Sequence, residues 1–245
     1  FSCTSTGAYA PFSVSALRAD LHIHTCLSPC ADDDLTPATA AGLAKLAGAD
    51  LIAITDHNSA RNLPAAQIAC EAYGLRLLPG IEANTCEEIH LLCYFGKVET
   101  ALSFSEKLNA FLPSFPYDSS VWGRQLVMDE NDCVLDQIPK LLTGALTLSL
   151  AETAALCRAM GGIPVPAHAD ADSYSLFSVL GGWPMDVDFD LMEAKDPEKV
   201  SCLIEKGFFP AGKPLLFSSD AHCMQNVACR MCELEETSPL YQLIK

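Results

Sequence analysis

The chain has 245 residues, of which half are hydrophobic, and a formal net charge of −16. This length suffices for one large domain with a buried core, and no apolar run reaches the ~18 residues of a membrane-spanning helix. A strongly negative chain without a Lys/Arg cluster repels nucleic-acid phosphates, so the composition predicts neither a membrane nor a long nucleic acid as partner. A small phosphorylated substrate is compatible with this negative charge, because bound divalent cations can supply the positive charge that the chain lacks.

Twelve cysteines are many for this length, and several lie in apolar runs such as Leu92-Cys93-Tyr94. A cysteine in such a run behaves as a small buried hydrophobe, which predicts a reduced, cytoplasmic protein rather than a disulfide scaffold. Residues 1–17 lack the apolar core of a signal peptide, and we expect them to be a disordered lead-in. The predicted domain therefore covers residues 18–245.

The first half of the domain alternates short apolar runs with helical patterns. Thr36 and Pro37 are typical of a helix start, and Gly74 of a helix end. We predict strands at 19–24, 50–55, 75–79 and 89–95 and helices at 36–49 and 64–73. Because parallel neighbours need a covering helix between them, this alternation predicts an α/β fold with a parallel sheet.

A second pattern interrupts this alternation between residues 97 and 148. The segment is rich in Pro, Phe, Ser and Asp, and we predict an inserted, partly helical region and a candidate lid. The alternation then resumes, with helices at 150–160 and 196–206 and strands at 163–167, 189–194 and 215–218.

All six histidines of the chain fall at the ends of predicted strands. His22 and His24 are two residues apart in a strand, so both imidazoles face one side and can bind one cation, with Asp20 on that side as a candidate to orient a ligand. The remaining motifs are Asp56-His57, Gly80-Ile81-Glu82, His90, His168 and Asp220-Ala221-His222.

This set of imidazoles and carboxylates predicts a multinuclear metal site. Neutral imidazoles with carboxylates suit zinc, manganese or iron, and they do not suit calcium or an iron–sulfur cluster. Six histidines exceed what one ion needs, so we expect two or three divalent ions with a bridging carboxylate. Such a cluster generates hydroxide at neutral pH and polarises a phosphoryl oxygen.

In this order the motifs resemble those of the PHP (polymerase and histidinol phosphatase) superfamily, from about residue 19 to residue 222. The resemblance implies a distorted (β/α)7 TIM-like barrel, here with an inserted segment, a trinuclear site and phosphoesterase activity. It implies that one ion is held by His22, His24, Glu82 and Asp220. A second would be held by Glu82, His90 and His168, and a third by His57, His222 and a residue of the early loop (residues 25–35). Glu82, Asp220 and His222 are the candidate catalytic residues.

The early loop departs from the family pattern H-x-H-(S/T)-x-x-S-D-G-x-(L/M)-(T/S)-P. Counting back from Leu35-Thr36-Pro37 places Asp32 at the ligand position, whereas counting forward from His24 reaches Pro29 or Cys30. Proline cannot bind a metal. We therefore favour Asp32 as the ligand, with Cys30 as the alternative.

Contacts to a substrate phosphate need basic side chains near the cluster. Arg61 follows His57 by four residues, Arg124 lies in the insert, and both are candidates. Lys213 precedes the last strand and is a weaker one. Two cysteine patterns, Cys26-x3-Cys30 and Cys223-x5-Cys229-x2-Cys232, allow a separate zinc or redox site as an alternative.

The predicted function is metal-dependent hydrolysis of a small phosphate ester, with a phosphomonoester favoured, by a hydroxide held between metals. One alternative is a non-catalytic, metal-stabilised regulatory module, whose site would be closed by protein ligands. Another is an amidohydrolase-type hydrolase, a group that often uses a carbamylated lysine at a strand end. No predicted strand end here places a lysine in that position.

Overall fold

The computed structural model describes residues 16–245 as a mixed α/β fold. Its strands are β1 (Leu17–Ile23), β2 (Leu51–Ile54), β3 (Arg76–Asn84), β4 (His90–Tyr94), β5 (Leu126–Met128), β6 (Val134–Gln137), β7 (Ile163–Pro166), β8 (Met192–Glu193), β9 (Leu215–Leu216) and β10 (Cys232–Leu234). Its helices are α1 (Pro37–Leu46), α2 (Leu63–Tyr73), α3 (Val98–Phe111), α4 (Ser119–Trp122), α5 (Leu150–Ala159), α6 (Leu176–Leu180), α7 (Pro197–Glu205) and α8 (Pro239–Leu243).

The first three strands form the parallel layer that the sequence predicts. β1 pairs with β2 and β2 with β3, all parallel, and α1 and α2 make the crossovers. Thr36 caps α1 by accepting a hydrogen bond from the Thr39 backbone N–H at 3.1 Å. Gly74 ends α2 in the left-handed conformation, with φ of 66°, which glycine adopts without a Cβ penalty.

The rest of the sheet corrects the prediction of an all-parallel arrangement. Six strands follow the order β10-β1-β2-β3-β4-β7, in which β4 is antiparallel to both neighbours and β10 is antiparallel to β1. Only residues 85–89 connect β3 to β4, and a parallel crossover needs at least about ten. The turn therefore forces an antiparallel pair.

The six strands form a curled half-barrel, which is consistent with a distorted barrel but not with a regular (β/α)7 ring. β8 and β9 pair with each other in a separate two-stranded sheet. Backbone hydrogen bonds join the region of this pair to the main sheet. Ala169 N–H donates to Glu193 C=O at 2.8 Å, and Ala221, which follows β9, accepts from His24 N–H at 2.9 Å and donates to His22 C=O at 3.3 Å.

The insert at residues 97–148 has two parts. α3 lies against the core, with Phe104 and Leu108 fully buried, whereas the later part contains α4 and the β5–β6 hairpin. This later part packs on the early loop, where Leu126 N–H donates to Cys26 C=O at 2.8 Å. At Gly123, with φ of 92°, a Cβ would lie 2.0 Å from the Pro29 carbonyl oxygen, so only glycine fits this contact.

Three further expectations concern the chain as a whole. Residues 1–15 of the predicted lead-in (1–17) lie outside the described residues. Leu17, the last residue of that predicted segment, already belongs to β1. No helix within residues 16–245 is long and apolar enough to cross a bilayer. The eleven cysteines in the described part of the chain are all free thiols.

Candidate metal centre

The structure brings the six histidines together at one edge of the sheet. β1, β2 and β3 are parallel, so their carboxyl ends meet at that edge, and a bridge pairs His57 with Glu82. His90 opens β4, and because β4 is antiparallel, its first residue lies opposite Asn84 at the end of β3. His168 and His222 reach the same edge from the segments that follow β7 and β9.

Glu82 lies at the centre of this cluster and is 1% exposed. Its Oε2 is 3.2 Å from His24 Nε2 and 3.1 Å from His57 Nδ1. Its Oε1 faces three more imidazole nitrogens, at 3.3 Å from His22 Nε2, 3.0 Å from His90 Nδ1 and 3.3 Å from His168 Nε2. One carboxylate thus contacts five imidazoles, which is the arrangement expected of a bridging ligand.

Asp220 provides a second carboxylate on the other side of the β1 histidines. Its Oδ1 lies 3.4 Å from His22 Nε2 and 3.6 Å from His24 Nε2, while these two nitrogens are 3.1 Å apart. Ligands that bind one zinc tetrahedrally at ~2.0–2.1 Å are about 3.3 Å from each other. The donor separations in the cluster therefore fit ligands of a common cation.

Several donor atoms in the cluster are buried and have no hydrogen-bond partner. They include His57 Nδ1, His90 Nδ1 and Glu82 Oε1. Buried polar atoms without partners are costly in a folded protein, and a cation between them would satisfy all three. The residues present therefore fit divalent metal ions.

Three groups of side chains place their donor atoms within 4.8 Å of one another: His24, His57 and His222; His22, His24 and Asp220; and His57, Glu82 and His90. The last two groups share no residue, so two ions can be held at once. His168 and His222 remain beside them as further donors.

The charges in the cluster are strongly coupled. Burial lowers the pKa of His222 to about 4 and holds that of His57 well below its usual range. Burial also opposes charge on His24, but contacts with Asp220 and Glu82 raise its pKa to about 9. Although burial alone would raise the pKa of Glu82, the surrounding histidines hold it well below its ordinary value.

Hydrogen bonds orient three of the imidazoles so that Nε2 points into the cluster. His22 Nδ1 donates to Glu193 Oε2 at 2.9 Å, His24 Nδ1 donates to Ser28 Oγ at 3.0 Å, and His222 Nδ1 donates to the Asp220 carbonyl at 2.9 Å. Bonds of this kind select the tautomer whose free Nε2 can bind a metal.

Glu193 was missed by the sequence interpretation, although a signal for it exists. It is an acidic residue in the apolar run Leu191-Met192-Glu193-Ala194 at the end of a predicted strand. It is 3% exposed, contacts His22, and accepts a hydrogen bond from the His168 backbone N–H at 2.9 Å. The rule that located the histidines would also have located Glu193.

Two aspartates near the cluster position backbone and hydroxyl groups. Asp56 accepts hydrogen bonds from Thr25 N–H and from Ser28 Oγ, both at 2.7 Å, and thereby fixes the partner of His24. Asp20 was predicted to orient a metal ligand without binding the metal itself. Its carboxylate accepts hydrogen bonds from the Ser219 N–H and hydroxyl at 3.0 and 2.6 Å and from the His22 N–H at 3.5 Å, and so holds both His22 and the segment that leads into Asp220.

Left-handed backbone conformations are concentrated around the site. His168, Tyr174 and Asp220 have φ of 29°, 52° and 51°. Non-glycine residues in this region cost free energy and are found where surrounding structure holds them in a functional geometry. All three residues contact the cluster: His168 lies against Glu82, Asp220 lies against His22, and the Tyr174 ring stacks on His90.

The structure does not bring either early-loop candidate into these groups. Asp32 is exposed and contacts His222 only through its backbone, where its N–H donates to the His222 carbonyl at 2.9 Å. Cys30 is also solvent-accessible, but its thiol pKa is raised to about 12 by burial of the sulfur and by the nearby carboxylates of Glu82 and Asp56. Cys30 belongs to no group of three donors within the described chain.

The two candidate phosphate-binding arginines are engaged elsewhere. Arg61 Nη1 lies 2.6 Å from Asp136 Oδ2, and Arg124 Nη2 lies 2.5 Å from Asp33 Oδ2. Lys213 pairs with Asp188. The metal cluster opens into a cavity of about 150 Å³, and none of these three side chains lines it.

Lys195 lines that cavity and was missed by the sequence interpretation. It lies two residues beyond the end of β8, and its Nζ lies 3.0 Å from Asp220 Oδ2. Lys195 comes immediately after the predicted strand at 189–194, so the sequence offered it as a strand-end residue beside the cluster.

The cysteine patterns do not form a second metal site in the part of the chain that the structure describes. All groups of three or more donors there consist of histidines and carboxylates, and none includes Cys26, Cys223, Cys229 or Cys232.

Comparisons with known proteins show which sequences and folds this chain is similar to. No family model matches the chain. The PolC-type DNA polymerase III of Listeria welshimeri is 40% identical over 73 residues, or 29% of the chain, and its Listeria monocytogenes counterpart gives the same values. The chain spans about 5% of the length of these curated relatives.

Solved structures match over most of the chain. The lesion-specific endonuclease Q of Pyrococcus furiosus has a TM-score of 0.58 and 20% identity, covering 85% of this chain and 49% of its own. A Bifidobacterium adolescentis protein assigned as a metal-dependent phosphoesterase has a TM-score of 0.58 and 19% identity, covering 92% and 94%. An amidohydrolase from Chromobacterium violaceum has a TM-score of 0.57 and 16% identity, covering 92% and 95%.

The chain shares its fold with a protein assigned as a metal-dependent phosphoesterase, which is the fold that the resemblance to the PHP superfamily implies.

The prediction that excluded long nucleic acids is wrong. Another structure of endonuclease Q, with a TM-score of 0.57, holds a 27-mer duplex substrate with an abasic lesion at its active site. The prediction failed because a net charge of −16 is a sum over the whole chain, whereas nucleic-acid binding depends on the local charge at a site, to which bound cations also contribute.

Proposed function

We propose that this chain is a metal-dependent hydrolase of phosphate esters, with phosphomonoesters as its preferred substrates. The observation that carries the proposal is Glu82, a buried carboxylate in contact with five imidazoles, including those of His57 and His90, whose buried Nδ1 atoms have no hydrogen-bond partner among the described residues. The cavity beside the cluster favours catalysis over a regulatory module, because a structural metal site is closed by its protein ligands.

The protein would hold two or three zinc, manganese or iron ions. One group, His22, His24 and Asp220, and a second group, His57, Glu82 and His90, share no ligand. His168 and His222 complete the donor set, and a third ion would need a further ligand, for which Asp32 and Cys30 remain the candidates. When bound, the ions would activate water as a nucleophile and neutralise charge on the phosphoryl oxygens.

The chain's own residues prepare the site for this chemistry. Glu82 and Asp220 stay ionised because the histidines hold their pKa values low. His222 is neutral at pH 7, since burial lowers its pKa to about 4, so it can donate a lone pair. These three remain the proposed catalytic residues, and Glu193 and Asp56 hold the imidazole orientations.

The size of the cavity supports a phosphomonoester. At about 150 Å³ it is smaller than the ~300–1,000 Å³ of pockets that enclose whole drug-sized ligands. A terminal phosphoryl group can enter such a space and leave its single substituent at the mouth. A phosphodiester carries a second substituent, which the same mouth would also have to admit.

Metal-dependent turnover tests the proposal. Protein stripped with a chelator is reloaded separately with zinc, manganese or iron and assayed with phosphomonoesters, a phosphodiester and an abasic-site DNA duplex. We expect turnover only after reloading, with the highest kcat/KM for a phosphomonoester. Loaded protein that is inert on every phosphoester contradicts the hydrolase proposal, whereas faster cleavage of the diester or duplex contradicts only the substrate preference.

A second candidate is amide or lactone hydrolysis. Two observations favour it: Lys195 follows a strand end beside the cluster, and an amidohydrolase shares the fold. Adding a lactone and an N-acyl amide to the same assays distinguishes the two candidate functions. Turnover of either compound without phosphoester cleavage would contradict the phosphoesterase proposal and support this second one.

A further inference from the structure

Lys195 is the only lysine or arginine among the described residues that line the cavity at the metal cluster. A phosphate ester brings negative charge into a site that already contains Glu82 and Asp220. Fixed cations that contact a transferring phosphoryl group are a recurrent means of binding and stabilising it. Lys195 is therefore the first residue to consider for contact with substrate.

The backbone of Lys195 is held firmly while its side chain is accessible. Its N–H donates to Asp170 Oδ1 at 2.7 Å, and the Asp196 N–H donates to Asp170 Oδ2 at 2.7 Å. Asp170 is 1% exposed, and the Arg230 guanidinium donates to the Lys195 carbonyl. The Lys195 side chain itself is 56% exposed. A fixed backbone with a flexible, solvent-accessible amine suits a residue that reaches for a ligand.

The present partner of the amine is also a candidate metal ligand. Lys195 Nζ contacts Asp220 Oδ2, while Asp220 Oδ1 faces His22 and His24. A cation bound at Oδ1 would share the negative charge of Asp220 and weaken its attraction for the ammonium group. The metal-loaded site would thus leave the Lys195 amine available to a second anion.

We propose that Lys195 binds the non-bridging oxygens of the substrate phosphoryl group, exchanging its contact with Asp220 for one with substrate. This inference rests on the proposed function, since it assumes a phosphoryl ligand. It assigns the anion-binding role to the strand-end residue rather than to Arg61 or Arg124, both of which pair with aspartates away from the cavity.

Binding of inorganic phosphate tests the inference without relying on turnover. Wild-type, Lys195→Gln and Lys195→Arg proteins are loaded with metal, and metal content is measured for each. Phosphate affinity is then measured by calorimetry at constant ionic strength. A hydrogen bond to a charged group is worth enough that its loss should weaken phosphate binding about 10- to 100-fold in Lys195→Gln. We expect Lys195→Arg to recover part of this loss and metal content to be unchanged.

Lys199→Gln is the matched control. It removes the same charge from α7, where Lys199 pairs with Asp172 outside the cavity, and should leave phosphate affinity within about twofold of wild type. Where a phosphomonoester is turned over, Lys195→Gln should raise KM more than it lowers kcat.

Three results would overturn the inference: phosphate affinity unchanged in Lys195→Gln, no measurable phosphate binding to the loaded wild type, or loss of metal from Lys195→Gln. The last would mean that Lys195 only supports Asp220. If phosphate binding depends on Lys195 but no phosphoester is cleaved, the result supports the anion-binding site and contradicts the proposed hydrolase activity.

Discussion

The buried cluster at the strand ends and the exposed insert behave differently as sources of functional residues. His22, His24 and Glu82 are at most 1% exposed, and backbone hydrogen bonds hold them: Glu82 pairs with Leu92 in β4, and both histidines bond to the backbone of Ala221. Arg124, in the insert, is 52% exposed and held only by an ion pair with Asp33. Backbone pairing therefore sets the direction of a side chain in or beside a sheet. The side chain of an exposed residue in the insert instead pairs with whichever charged group lies near it.

The largest expected effect is that of Glu82→Gln. Glu82 is the shared contact of five imidazoles, and removing one partner from a buried charged arrangement costs about 3–5 kcal/mol. We expect metal affinity to fall at least about a hundredfold and turnover to be lost. Metal analysis after dialysis and phosphoesterase assays measure both.

The matched control is Glu106→Gln, an exposed position on α3. It should bind metal as the wild type does. Retention of full metal content by Glu82→Gln would show that the central carboxylate is not a ligand and would remove the basis of the comparison.

Glu193→Gln should have a smaller effect, because Glu193 acts through His22. The amide can still hydrogen-bond His22 Nδ1 but no longer carries a charge to stabilise its N–H. Substitutions of such partners typically weaken metal binding about 10- to 100-fold. Competition with a chromogenic chelator measures this affinity.

Glu198→Gln, at an exposed position of α7, serves as the control for the Glu193 substitution. An unchanged affinity in Glu193→Gln would mean that the sheet alone orients His22, which would sharpen the contrast between strand and loop residues.

The structure brings the predicted histidines together because the ends of neighbouring strands meet at one edge of the sheet. His90 shows the limit of that reasoning: in an all-parallel sheet the first residue of β4 would lie at the opposite edge. The short turn at 85–89 makes β4 antiparallel and brings His90 back to the site. His90 therefore lies beside Glu82, although the predicted strand direction was wrong.

The features that the sequence did not predict are those whose positions depend on contacts between distant parts of the chain rather than on the local sequence pattern. β10 has only three residues, Cys232–Leu234, and joins the sheet through pairing with β1, more than 200 residues earlier in the chain. The early loop is shaped by hydrogen bonds to Asp56 and by the contact with Gly123, so counting from either end could not place Asp32 or Cys30. Lys195 lies outside every histidine motif and reaches the cavity only through the tertiary contact of its Nζ with Asp220.

Metal binding should release protons at pH 7. In the metal-free site, contacts with Asp220 and Glu82 raise the pKa of His24 to about 9, so His24 is protonated and must lose its proton to become a ligand. The favourable pairing of charged His24 is fully present below pH 6.5 and is lost as the pH rises through about 9. The apparent metal affinity should therefore increase across that interval.

Calorimetric titration of the metal-free protein with zinc, in buffers of different ionisation enthalpy, measures the protons released. His222 needs no such loss, because burial lowers its pKa to about 4. A heat independent of the buffer would contradict the charge state assigned to His24.

The smallest effects are expected for Arg61→Ala and Arg124→Ala. Each arginine is about half exposed and paired with an exposed aspartate away from the cavity, and ion pairs of this kind contribute little. We expect kcat/KM for a small phosphomonoester to change by less than about twofold in either variant. A loss of tenfold or more in Arg124→Ala, with wild-type metal content, would show that the insert moves its arginine over the bound substrate. That outcome would contradict the contrast between the sheet and the insert, because an exposed residue of the insert would then contribute as much to catalysis as a residue fixed by the sheet.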